Sequence, residues 1–141
     1  MKKIMVMIMV MVMAAASVFA NPSYEEIDAQ AREMAVASKS VLESNLKQNE
    51  ALRAEYNSLL EQNPEVTKWE HYDTVVETMT FVDSVIAFDK QSISLFDDII
   101  ENGYSAYESR YDEVESLQKR EAELQKKQIK LQKKLNKAFK R

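Results

Sequence analysis

One glycine and two prolines punctuate all 141 residues, and that scarcity limits the fold more than any other feature. A sandwich or barrel needs a turn about every 8 to 12 residues. Gly103, Pro22 and Pro64 cannot supply so many. The intervening sequence is rich in Glu, Lys, Gln, Leu and Ala, which lose little rotamer freedom in a helix. An all-α fold follows.

The same punctuation divides the chain into three helical segments, expected at about 23–62, 65–102 and 104–139. Ser23 followed by Glu26 is a capping-box pattern that opens the first. Ile27, Ala31, Met34, Ser38, Val41, Asn45, Leu52 and Leu59 then keep 3-4 spacing, widened by Leu42, Leu46, Tyr56 and Leu60. Asn63-Pro64 ends the run, because proline disfavours α geometry in the residue before it. The second segment is apolar over much of its circumference, from Trp69 to Ile100, with a gap at Asp89/Lys90. Such a helix is buried between neighbours. Its β-branched stretch from Thr74 to Phe88 makes a strand the competing expectation there, but the 3.6 period holds and no turn divides the run. Asn102-Gly103 suits a left-handed helix end. In the third segment Leu117, Leu124, Leu131 and Ala138 repeat every seven residues beside Tyr107, Val114 and Leu135. Glu121 and Gln128 interrupt that second row. Short connections make neighbours antiparallel. The expected architecture is an elongated antiparallel three-helix bundle with coiled-coil character and the middle segment central. A helical hairpin with one continuous arm through Gly103 is second.

Ahead of this domain, Met1 to Ala20 has the pattern of a cleaved signal peptide: Lys2 and Lys3, an apolar run from Ile4 to Met13, then small residues with Val18 and Ala20 at the cleavage-reading positions. A permanent membrane anchor would need about 20 apolar residues. The chain has no cysteine, so it carries neither a lipid-modified Cys nor a disulfide. The expected product is an exported single domain, 21–141, on the cell surface or secreted, with the periplasm as the alternative.

Charge is distributed unevenly in this product. Residues 21–118 hold 7 Lys/Arg against 21 Asp/Glu, whereas 119–141 hold 10 against 2. Complementing a helix dipole accounts only for cations in the last turn, and the basic run is far longer. Lys126, Lys127, Lys130, Lys133, Lys134, Lys137, Lys140 and Arg141 surround Leu124, Leu131, Leu135 and Phe139. They predict electrostatic attachment to an acidic surface: anionic lipid, lipopolysaccharide, a host glycan or an acidic protein. A solvated end folded back on the acidic first segment is the plainer alternative. Nucleic acid is not expected, since Phe139 alone offers a stacking platform in the tail. If Leu117, Leu124 and Leu131 are left uncovered, burying them in a second copy would contribute roughly 1.5–3 kcal/mol each. An acidic body with a basic end would then assemble head to tail.

Catalytic chemistry has little to stand on. His71 is the single histidine, and its neighbours Glu70 and Asp73 point in different directions on a helix. There is no glycine-rich phosphate loop, nucleophile elbow or calcium loop. No enzyme, cofactor or metal is expected, and acidic pairs such as Glu25/Glu26 and Asp97/Asp98 read as solvated faces.

Ala51-Leu52-Arg53-Ala54-Glu55-Tyr56-Asn57-Ser58-Leu59 resembles the Ala-Leu-x-Ala-Glu-Tyr-x-x-Leu run of the FadA-type bacterial adhesins. Tyr107 to Gln128, where spaced tyrosines precede a Leu/Glu/Lys helix, is similar in a looser way. The resemblance implies a small, exported, cysteine-free helical hairpin that self-associates through leucine contacts and attaches to host-cell surface receptors. Together with the leucine row, it assigns Leu52, Tyr56, Leu59, Leu117, Leu124 and Leu131 to packing or self-association. The β-branched, aromatic middle segment and the Lys-dense tail depart from the family's Ala/Gln/Arg-rich character. A periplasmic holdase resembling the Skp type is the competing expectation, and a membrane-active toxin built on the tail is a third.

Overall fold

The computed structural model describes residues 23–139. The signal-peptide expectation, Lys140 and Arg141 lie outside the described residues. The described residues form four α-helices: α1 (Tyr24–Gln62), α2 (Tyr72–Asn102), α3 (Tyr104–Ser109) and α4 (Tyr111–Ala138). The described residues contain no strand, so the stretch from Thr74 to Phe88 is helical.

The opening of α1 is the capping box that its sequence predicts. Ser23 Oγ accepts from the Glu26 backbone N–H at 3.2 Å, and Glu26 Oε2 accepts from the Ser23 N–H at 3.3 Å. Asn63 leaves helical geometry before Pro64, as proline requires of its predecessor. The second helix begins later than expected, because Pro64–Lys68 forms a 3-10 turn and Trp69 is extended. Reversing the chain between two antiparallel rods uses up these residues.

Gly103 stops α2 with φ 75° and ψ −154°. The positive φ is expected of this glycine; the extended ψ differs from a left-handed cap and belongs to a region essentially restricted to glycine. A Cβ here would overlap Asp28 Oδ1. The reason is a pair of α1 side chains that serves both sides of the break. Asp28 Oδ1 accepts the Tyr104 N–H at 2.8 Å, capping α3. Arg32 Nη1 donates to the Ile100 and Glu101 carbonyls at 2.7 and 3.1 Å, capping α2. Each end therefore finds the partner that a helix terminus lacks. A second break at Arg110 divides the expected third helix, and its guanidinium binds Glu113 at 2.7 and 2.8 Å and Asp98 at 3.2 Å.

α2 is central. α1 and α4 both pack along it, whereas no Cα of α1 comes within 8 Å of a Cα of α4. The core forms two apolar clusters. The one nearer Gly103 holds Leu42, Phe88, Leu95, Phe96, Ile99 and Leu117. The other holds Tyr56, Met79, Phe81, Val82, Val85 and Leu131. Leu124 packs against both. On α1 the buried face runs through Ala35, Leu42, Asn45, Asn49 and Tyr56, turned by about one residue from the expected stripe. Val41 and Leu59 are accordingly exposed.

A basic helix face and a buried polar layer

The lysines of the tail project from one side of α4. Lys126, Lys127, Lys130, Lys133, Lys134 and Lys137 are all exposed. Lys134 Nζ binds Glu77 Oε2 at 3.0 Å. The other five form no ion pair among the described residues. Lys119, not picked out from sequence, is exposed too. Positions 119, 126, 130, 133 and 137 advance by 7, 4, 3 and 4 residues, which at 100° per residue keeps them on one stripe. The stripe lies opposite Leu117, Leu124, Leu131 and Leu135 and extends for roughly 27 Å at 1.5 Å per residue. Leu117 and Leu131 need cover, so burying them orients the lysines outward. Between Lys119 and Lys137 the acids of α4 are Glu121, which is buried, and Glu123.

The six residues assigned to packing or self-association separate. Tyr56 and Leu131 are buried in one cluster, with Leu52 and Leu124 half-buried against it. Leu117 is wholly enclosed in the other cluster. Leu59 is 38% exposed and belongs to neither. In this conformation Leu117 and Leu131 are covered by their own molecule and present no free seam to a second copy. Tyr24, Tyr104, Tyr107 and Tyr111 line the Gly103 end as successive ring contacts of 6.1, 5.4 and 6.0 Å. At the other end, His71 Nε2 meets Glu70 Oε1 at 2.9 Å. Its ring stands edge-on to Trp69.

The interior holds a feature that sequence reading noticed only in fragments. Asn45 and Asn49 from α1, Asp89 and Ser92 from α2 and Glu121 from α4 are all buried. They occupy the level at which the apolar rows of the three helices are interrupted. Asn45 Nδ2 donates to Asp89 Oδ2 at 2.7 Å. Asn49 also acts on Asp89, although its Nδ2 makes no well-formed hydrogen bond. Asp89 Oδ1, Asn45 Oδ1 and Ser92 Oγ likewise find no hydrogen-bond partner. Burial pushes the Asp89 carboxyl up to about 6, the two asparagines pull it down, and Glu121 adds a smaller upward push. Such a layer costs stability, because a buried polar atom without a partner loses about 1–3 kcal/mol.

The signal for this layer is polar residues at core positions of three segments: Asn45, the Asp89 gap and Glu121. Spacing along each helix gives no relative height between helices, so their meeting was not legible. Chemically the layer can hold or release a proton. Asp89 and Ser92 are 0% exposed, which closes them to a substrate in this conformation. Among the described residues no group of three His, Asp or Glu is arranged to hold a metal ion, and no helix is long and apolar enough to cross a membrane. No protein-family model, curated protein or solved structure matches the chain.

Proposed function

We propose that this is an exported, non-enzymatic attachment protein, an adhesin of the FadA-like kind, whose α4 lysine face docks on an acidic host-cell surface. The observation that carries the reading is the α4 stripe. Five exposed lysines without an ion pair among the described residues line up on the side of the helix facing away from its packed leucines. The body behind them is acidic. Each cation near an anionic surface contributes on the order of 1 kcal/mol, screened beyond roughly 8–10 Å at physiological salt.

Self-association is part of the proposal, but through outer faces. The acids of α1 and the bases of α4 are complementary and both lie outside the core. A contact between unlike faces propagates from copy to copy.

The test is adhesion of purified protein to host cells at low and physiological salt, with Lys126, Lys130, Lys133 and Lys137 replaced by Gln. Binding should fall steeply with salt and by at least tenfold in the variant. Binding that is indifferent to both overturns the attachment role. Suppression of outer-membrane-protein aggregation without cell binding would transfer the molecule to the Skp-like holdase reading. A salt-insensitive monomer in sedimentation would remove self-association.

A further inference from the structure

The buried carboxyl groups of α2 and α4 are not used by the attachment reading. Asp89 is 0% exposed and Glu121 7%. The two act on each other across the α2–α4 joint. From α1 only the neutral amides Asn45 and Asn49 face Asp89. On α2 its neighbour Lys90 is exposed. On α4 the adjoining Arg120 turns instead to Gln91 Oε1 and the face of Phe88. Among the described residues no cation therefore compensates Asp89.

We propose that Asp89 and Glu121 form a proton-operated latch between α2 and α4: the joint closes with one proton held on the pair and loosens when both carboxyls are ionised. Enclosure at the joint takes the ionised Asp89 carboxylate out of water, which is the larger cost, and the like charge of Glu121 adds a smaller one. α1 packs on α2 more extensively than α4 does, so the strain is relieved by releasing α4. With α4 would go the lysine face. The device thus couples acidity to how firmly the basic helix is seated on the body.

The sign is fixed by linkage. A carboxyl that is a weaker acid when docked than when released favours docking at low pH and loses that contribution as pH rises. For values of 3.8 released and about 6 docked, going from about pH 5 to about pH 7.5 raises the opening equilibrium of α4 about tenfold.

Amide hydrogen exchange followed by mass spectrometry on the intact protein, corrected for intrinsic exchange, reads this directly. Peptides from α4 should lose about tenfold protection over that interval, while those from the middle of α1 change little. Asp89→Asn should abolish the response and leave α4 protected at both pH values. Glu121→Gln, which keeps Asp89 but removes its repelling neighbour, should shrink the response. His71 is retained in both variants, so it is not the source of any difference. A wild-type response that survives in Asp89→Asn, or equal loss of protection in α1 and α4, overturns the latch.

Discussion

Replacing Gly103 by alanine tests the argument that joins α1 to the break between α2 and α3. The native backbone there has φ 75° and ψ −154°, and a non-glycine residue held in this region costs about 1–3 kcal/mol. The new Cβ also overlaps Asp28 Oδ1. The carboxylate must swing away, and the Tyr104 N–H it accepts at 2.8 Å loses its partner. Opposing this, alanine lowers the entropy of the unfolded chain by about 0.4–1 kcal/mol. The balance is a net loss of about 2 kcal/mol, or roughly 30-fold in the folding equilibrium. Urea unfolding followed by circular dichroism at 222 nm measures it. With m near 2 kcal/mol/M, the midpoint should fall by about 1 M at unchanged m. The refuting result is equal or greater stability with more helical signal. That outcome would mean α2 runs through position 103 into α3, and that Asp28 and Arg32 cap nothing.

Two further outcomes follow from burial and charge. Leu117→Ala, at a 0% exposed site in the larger cluster, should cost about 2–5 kcal/mol; Leu59→Ala, at 38% exposure, should cost far less, and equal costs would place Leu117 outside the core. Hydrogen bonds hold Asp28, Asp98 and Glu113 below their ordinary carboxylate values, from Tyr104, Asn102 and Arg110 first respectively. They stabilise the fold above those values and stop doing so as pH falls through the lowered ones, the reverse of Asp89. A thermal-melting profile should therefore decline on both sides of about pH 5, and a melting temperature still rising from pH 5 to neutrality would contradict the assignment of Asp89.

Most of the fold was legible because helix ends carry local chemistry. The Ser23/Glu26 box, the Asn63-Pro64 stop and Gly103 each act within a few residues, and each marks a boundary in the structure. The start of α2 was misplaced because Pro64–Lys68 folds as a 3-10 turn whose need arises only from bringing two rods together. The break at Arg110 was missed for a related reason. Besides Glu113 in its own turn, its guanidinium binds Asp98, twelve residues away on another helix, and helical periodicity carries no trace of that second contact. On α1, the choice between Val41 and Leu42 as the inward residue depends on how the rod is rotated against α2, which no single segment specifies. For the candidate site, the lysine tail was plain in the sequence as a cluster. Its confinement to one face depended on which leucines were buried. Asn45, Asp89 and Glu121 were visible as separate flaws in three apolar rows. Only the packed bundle sets them at a common height.

Placing α2 in the middle has one more consequence. Since α1 and α4 each lean on it with no Cα of one within 8 Å of a Cα of the other, both keep an unshared flank, and those flanks have opposite polarity. The α1 helix holds eight acids and four bases, whereas α4 holds five acids and eight bases. The resulting electric dipole lies across the rods as well as along them, so a nearby charged sheet orients the molecule before any contact forms. It would settle with its cationic flank down and its anionic flank turned to the medium.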